Sequence, residues 1–345
     1  MAEPVTLQKI ADRAGLSRMT VSRALRNAPE ISKATRNRVL EIAKALSYTP
    51  DPMIQRLASH LANAHRRNEG QVIAWINAYE DHRPWEGEIP FFSMFQGAAE
   101  RARKLGFRLE EFWLHAPGMT GEKLSRILHQ RGIECLILPP LPRGGRRLTM
   151  DWRKFSAVAI GYTLRAPLLH RVGSHHLHGA RESIRELYRR GYRRIGLCLS
   201  KDGDIRLDHS WLEALAYHQW RTSRKNWVKP LIDSAITDKR LIEWLRAEKP
   251  DCILGQFEWI PHAVRKADYR IPEDVAVSLF SVEYAEPKVA GLDQQHALIG
   301  ETACDLVVGQ HYRNEKGVPA HPHNLMIEGR WVDGNTVARK QRSPR

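Results

Sequence analysis

"LSRMTVSRAL", residues 16–25, decides how the chain begins. Wound at about 3.6 residues per turn, it lays Leu16, Val21, Ala24 and Leu25 along one side and Arg18, Met19, Ser22 and Arg23 along the other. One face packs and the opposite face is left to read something. The tight Ala14-Gly15-Leu16 turn before it joins it to a preceding helix over Leu7 to Ala14, capped by Thr6. Ser17 caps the second helix, and Ser32 caps a third running to about Leu46. Ile10, Ala11, Val21, Leu25, Val39, Ile42, Ala43 and Leu46 recur at helical spacing and supply one small core. Two helices across a tight turn, the second polar on its outer face, meet the helix-turn-helix description, in which the second helix enters the major groove of DNA. Arg18 and Arg23 can pair with guanine O6 and N7, and Met19 can lie against a thymine methyl. The competing reading is a solvated helix in a small bundle.

Charge favours the first reading without deciding it. Residues 1–67 hold twelve Lys or Arg and five Asp or Glu, a balance of +7 within a chain whose total is +15. A polyanionic partner suits that end, although an ordinary basic enzyme would share the total. The 345 residues, 42% hydrophobic and 27% charged, suffice for two or three domains. Cys135, Cys198, Cys252 and Cys304 sit in apolar stretches with no close pairing, which predicts reduced thiols. MAEPVTLQK lacks an apolar run of signal-peptide length and no stretch reaches the ~20 apolar residues of a membrane helix, so a cytoplasmic protein with no membrane partner is expected.

Beyond Tyr48, TPDPM carries two prolines that interrupt helix, and Met53 to Ala64 resumes a helical pattern as a linker. From residue 70 short apolar runs alternate with amphipathic helices. VIAWINA (72–78), FRLEEFWL (107–114), CLILPP (135–140), AVAIGY (157–162), IGLCLS (195–200), CILGQ (252–256) and VAVSLFS (275–281) read as strands. Phe95 to Leu105, Ala180 to Arg190 and Lys239 to Ala247 read as helices between them. The fold class is therefore α/β, a doubly wound body in two lobes behind a three-helix unit. The predicted organisation is 1–50 headpiece, 51–69 hinge helix and linker, 70–337 body, and 338–345 (ARKQRSPR) a disordered basic tail.

VTLQKIADRAGLSRMTVSRALRNAPEISKATRNRVLEIAKALSYTP, residues 5–50, resembles the DNA-binding headpiece of the lactose-repressor (LacI) family. The ADRAGLS turn, the TVSR of the second helix, the entry ISKATRNRV and the exit LSYTP all stand in family order. Residues 70 to about 335 resemble the family's effector domain, in strand order and in "RRGYRRIGLCLS" and "IPEDVAVSLFS". The resemblance implies a homodimeric transcription regulator, usually a repressor, with a periplasmic-binding-protein-like (type I) body. Such a regulator grips double-stranded operator DNA under control of a small-molecule effector. It implies no cofactor.

Residue by residue, the resemblance assigns phosphate or groove positions to Thr6, Ser17, Thr20, Ser22, Thr35 and Arg36, operator choice to Arg18 and Met19, and a guanine contact to Arg23. Gln55 and Leu57 fall in the hinge, where Leu57 matches a leucine wedged into the minor groove. A plain dimer contact is the other reading of Leu57. Asp51, Pro52, Met53 and Ile54 depart from the usual hinge, and Pro52 suits the first position of a helix.

For the effector, sugar-binding relatives commonly carry acidic residues where this chain has His175, Gln256-Phe257 and Ser281, and an arginine that is retained as Arg206. Trp211, Phe92, Phe95, Phe257 and Trp259 are aromatic surfaces for a sugar face, with core packing as the alternative for each. A carbohydrate is the first expectation. His175, His176 and His178 invite a metal, but adjacent histidines on a strand end point to opposite faces and no Cys or carboxylate in the sequence clearly completes a tetrahedral set, so no metal is expected. His321 and His323 read as solvated. No hydrolase, kinase or phosphate-loop signature is present, so the chain is not read as an enzyme. A transport-type solute-binding protein is the alternative with the same two-lobed body, and residues 5–50 argue against it.

Overall fold

A computed structural model describes residues 6–25, 31–46, 48, 71–80, 89–142, 146–283 and 288–340. The first unit is three helices, α1 (Leu7–Ala14), α2 (Arg18–Leu25) and α3 (Lys33–Ala45), each packed on the other two. Local chemistry sets their ends. Thr6 Oγ1 accepts from Lys9 N, Ser17 Oγ from Thr20 N at 3.1 Å, and Ser32 Oγ from Thr35 N at 3.2 Å, so each helix start has a hydroxyl for an otherwise orphaned donor. Gly15 ends α1 at φ +62°, a left-handed conformation that a side chain at this turn would resist. Ile10, Ala11, Val21, Ala24, Val39 and Ala43 form the buried centre, with Leu16, Leu25, Ile42 and Leu46 against it, as the helical spacing predicts.

The body contains two six-stranded sheets. The first has the order β13-β7-β5-β3-β1-β2, all parallel, from β1 (Gln71–Asn77), β2 (Phe107–Trp113), β3 (Cys135–Leu138), β5 (Ser156–Ile160), β7 (His170–Ser174) and β13 (Asn324–Ile327). The second has the order β14-β12-β11-β10-β8-β9, from β8 (Ile195–Ser200), β9 (Leu231–Asp233), β10 (Cys252–Gly255), β11 (Ala276–Leu279), β12 (Ala290–Asp293) and β14 (Arg330–Val332). Only β14 runs antiparallel there. A two-stranded pair, β4 (Arg146–Arg147) and β6 (Leu164–Ala166), lies beside the first sheet's connections.

Each sheet is covered on both faces. On the first, α4 (Ile89–Lys104) and α11 (His296–Tyr312) bury Met94, Ala98, Ile299 and Val307 over one side, and α5 (Gly121–Gln130) buries Leu124 and Leu128 over the other. On the second, α6 (His176–Arg189) and α8 (Ser210–Trp220) cover one side, and α9 (Asp238–Glu248) and α10 (Ile260–Lys266) the other. A short α7 (Lys201–Arg206) follows β8. Helices on both faces of parallel sheets are the doubly wound arrangement expected from the pattern. Glycine lets α4 and α11 touch backbone to backbone: a Cβ on Gly97 would stand 2.0 Å from Ala297 O, and one on Gly300 1.9 Å from Met94 O.

Each lobe is discontinuous in sequence, because the chain passes between lobes three times: from β7 into α6, from β12 into α11, and from β13 into β14. The strand runs read from the sequence occur within a residue or two of their expected limits, and the helices begin earlier than read, at Ile89, His176 and Asp238. The sequence reading did not include β7, β9, β12, β13 and β14, which are short or lie at sheet edges. All four cysteines are buried and free, and burial pushes the Cys198 and Cys304 thiols up to about 12. Among the described residues no helix is long and apolar enough to cross a membrane.

Candidate nucleic-acid interface and lobe junction

On α2, Val21 and Ala24 are buried while Arg18, Met19 and Arg23 are exposed, Met19 at 64%. A methionine that open on a helix with an apolar opposite face offers a contact surface that the described residues leave uncovered. Ser17 and Thr20 cap one another through Oγ···Oγ1 at 2.9 Å, at the start of the same helix, and Ser22 is half-buried. At the start of α3, Thr35 Oγ1 lies 2.8 Å from Ser32 Oγ, and Arg36 Nη2 donates to Ile31 O at 3.3 Å. Helix N-termini with hydroxyls suit phosphate, and the exposed α2 face suits base edges. Thr6 is exposed at the start of α1. Gln55 and Leu57, with the whole expected hinge at 51–69, lie outside the described residues.

The second site is where the carboxyl ends of the two sheets' strands meet, the usual ligand position in open α/β folds. Arg206, at the end of α7, reaches out of its own lobe: Nη1 donates to Leu141 O at 2.7 Å and Pro142 O at 2.9 Å, just after β3. Its guanidinium carbon stands 5.9 Å from the Phe91 ring, and Phe91 meets Tyr79 edge-on at 5.3 Å. Beside it, Asp208 and His209 both take positive φ, 52° and 60°, a costly backbone for non-glycine residues. That turn carries Asp208 across to Arg165 of the other lobe and His209 Nδ1 to 2.7 Å from Asp204 Oδ2. The lobes are thus clasped on this side by an arginine from each.

The other expected effector residues are placed less uniformly. Gln256 Oε1 accepts from Ser200 N at 2.9 Å and Oγ at 3.1 Å, bracing the start of α7. Ser281 Oγ, after β11, is buried with no hydrogen-bond partner among the described residues. Phe257 is half-buried and stacked on Trp259 at 5.4 Å. Phe92 is exposed on α4, one residue beyond the Phe91 that approaches Arg206, and Phe95 packs edge-on against Trp75 in the first-lobe core at 5.5 Å. Trp211 is 1% exposed and stacks on Phe280 at 3.7 Å within the second-lobe core, so its alternative as a packing residue is the one its position matches. His175 stands at the first crossover, its Nδ1 2.7 Å from Glu328 Oε1.

Sequence reasoning missed Tyr79, Phe91, Arg165, Asp208, Glu283 and His296. Tyr79, two residues past β1, could have been found from the strand-end rule alone; the rest are fixed by contacts between distant segments. At the second crossover Glu283 faces His296 Nδ1 at 2.9 Å, and burial, followed by the neighbouring Glu283, holds the Asp293 carboxyl above the ordinary range. His176, half-buried at the first crossover with its Nδ1 shielded from solvent, is pushed down to about 4 by desolvation, with His296 and His175 adding to the effect.

Residues 6–51 match the family of bacterial regulatory proteins of the lacI type, and residues 184–337 match a periplasmic binding protein-like domain. The chain belongs to the LacI family. It is a DNA-binding transcription regulator with an effector-type body, not a transport protein that merely shares the body. Among full-length relatives, the transcriptional regulator CelR of Thermobifida fusca is 26% identical over 94% of this chain and 95% of its own length. The operon regulator NtdR of Bacillus subtilis is 23% identical over 88% and 92%. Among solved structures, a CelR–cellobiose complex superposes with a TM-score of 0.58 at 20% identity, covering 96% of this chain and 99% of that one. The lac repressor dimer bound to operator and an anti-inducer gives 0.55 at 20%, covering 97% and 100%.

Proposed function

We propose that this LacI-family chain acts in the cytoplasm as a homodimeric repressor that binds a pseudo-palindromic operator and changes its grip when a carbohydrate-related molecule enters between the lobes. The proposed parts are residues 1–50 for DNA, 51–69 for the hinge, 70–337 for effector and dimer contacts, and 338–345 as a basic tail. Two headpieces related by two-fold symmetry require two half-sites. Arg18 and Met19 choose bases, Arg23 takes a guanine, and Thr6, Ser17, Thr20, Ser22, Thr35 and Arg36 hold the backbone, with Gln55 and Leu57 at the central step. The body works by binding, without turnover.

The observation that carries the switch is Arg206, whose donors span the lobes onto Leu141 O and Pro142 O. An effector that offers its own acceptors to Arg206, and to the unsatisfied Ser281 Oγ, exchanges a protein–protein contact for a ligand contact and so favours one lobe arrangement over the other. Tyr79, Phe91 and Phe257 supply ring surface for a sugar. Cellobiose in the CelR complex favours the carbohydrate class.

Gel shifts of the selected operator against a panel of mono- and disaccharides test this. One sugar class should change operator affinity by about 5- to 150-fold, the usual range of allosteric coupling. If no sugar alters the shift while a non-carbohydrate metabolite does, the effector class is wrong.

A further inference from the structure

The first and third crossovers bring together three side chains that lie far apart in sequence. His175 precedes α6, His178 stands in its first turn, and Glu328 arrives between β13 and β14. Glu328 Oε1 is 2.7 Å from His175 Nδ1, and Oε2 is 3.5 Å from His178 Nδ1. One donor atom from each residue lies within 4.8 Å of the other two, and among the described residues this is the cluster of His, Cys, Asp and Glu that converges so closely.

The expectation of no metal rested on adjacent histidines pointing apart. They do: His176 is half-buried, with its Nδ1 shielded from solvent. His178, three residues after His175, returns to the same side because one helical turn separates them. The missing carboxylate comes from Glu328, 153 residues beyond His175.

We propose that His175, His178 and Glu328 bind a divalent transition-metal ion of the Zn²⁺ type, which ties the first crossover to the third and fixes the angle between the lobes. Two imidazoles and a carboxylate, with no thiol, suit Zn²⁺, Co²⁺ or Ni²⁺ and not the all-oxygen sites of Mg²⁺ or Ca²⁺. Metal–donor bonds near 2.0–2.2 Å in a tetrahedron put neighbouring donors about 3.3 Å apart. Glu328 meets the two histidines through different oxygens, Oε1 at 2.7 Å from His175 and Oε2 at 3.5 Å from His178, and the three donors lie within 4.8 Å of one another. Side-chain rotation must bring one set of donors to about 3.3 Å, which the exposed Glu328 and His178 side chains allow.

The surroundings supply the usual outer partner. His178 Nε2 comes within 3.5 Å of Glu182 Oε1, the oxygen that Arg185 holds, so a carboxylate stands near the ring nitrogen that does not address the ion. The positive end of α6 opposes a cation. The Glu328 carboxylate offsets the helix terminus, while Glu182 is paired with Arg185. Three protein ligands leave a fourth position for water.

Full-length chain without a histidine tag, stripped with chelator, is titrated with Co²⁺ and then Zn²⁺. One ion per chain should bind, with the visible absorption of tetrahedral Co²⁺ that Zn²⁺ displaces. His178→Asn and Glu328→Gln, both at exposed positions, should each weaken binding at least about tenfold, and His321→Asn should not. Spin-label distances between the lobes should narrow on Zn²⁺ addition in the unmodified chain alone. Absence of saturable binding, or equal affinity in all three variants, overturns the site; binding that leaves the interlobe distances unchanged overturns its role as a tie.

Discussion

Replacing Arg206 with Ala removes the guanidinium that crosses from one lobe to the other. Two contacts are lost, to Leu141 O at 2.7 Å and Pro142 O at 2.9 Å; the approach to Tyr79 Oη at 3.5 Å is too long to add much. A hydrogen bond from a charged donor contributes about 1.5–3 kcal/mol net. Here both share one nitrogen on a half-buried side chain, so about 2 kcal/mol for the pair is the reasonable figure. Donor and acceptors sit on different lobes, so this energy belongs to the clasped arrangement alone. The ratio of clasped to open molecules should therefore fall about 30-fold, at 1.4 kcal/mol per factor of ten. The native cysteines are all buried, so cysteines introduced at the exposed positions His129 of α5 and Lys239 of α9 can be labelled selectively. Electron-spin distance measurements should show a longer and broader distribution in Arg206→Ala. Arg206→Lys, a point charge without the fork, should fall between. Because the lobe arrangement is the proposed switch, operator affinity without effector should move by up to the same factor, and the effector response should be lost. A distribution that superimposes on the unmodified protein would refute the reasoning, leaving the clasp to Arg165 and Asp208.

Arg23→Ala should weaken operator binding by roughly 1–3 kcal/mol and relax preference at one symmetric base pair, since it removes a bidentate base contact; site selection from random duplexes reads both. Gly97→Ala should destabilise the first lobe by about 3 kcal/mol, the upper end for overpacking, because the new Cβ would meet a backbone oxygen at 2.0 Å that has no rotamer to change; urea unfolding measures it. His176 gives a pH dependence with a defined sign. Its folded pKa of about 4 lies below the ordinary 6.5, so its contribution is complete above pH 6.5 and is lost as pH falls toward 4, about 3 kcal/mol in all; His176→Leu should flatten that part of the stability–pH curve.

How much of this was legible in the sequence depends on the range of the interaction. The caps at Thr6, Ser17 and Ser32 and the two faces of α2 are set within a few residues, and their spacing reveals them. The buried strands β1, β8 and β10 announce themselves as apolar runs. By contrast, β13 is four mostly exposed residues, NLMI, that become a strand only by pairing with β7 about 150 positions earlier. No local pattern encodes that pairing, and so the discontinuity of the lobes was hidden with it. The junction was half-visible for the same reason. Arg206 could be picked out by its place after β8, but its acceptors at 141 and 142 are backbone oxygens that any sequence would offer. Phe92 and Phe91 differ by one step around α4, which register from sequence does not resolve at the helix start. Gln256 reads as a ligand group, but the sequence did not show that its Oε1 also accepts from Ser200 N, a contact fixed by the neighbouring strand.

The central claim is sequence-specific recognition by a symmetric pair of headpieces, and selection of binding sites from random duplexes at fixed salt tests it most directly. The expected result is enrichment of one pseudo-palindrome with equal half-sites, protected as a single block in a footprint and bound at least about a thousandfold more tightly than random DNA. Arg18→Ala, Met19→Ala and Arg23→Ala should each alter symmetric positions within that site. Binding that stays independent of sequence, or a selected site lacking two-fold symmetry, would contradict it.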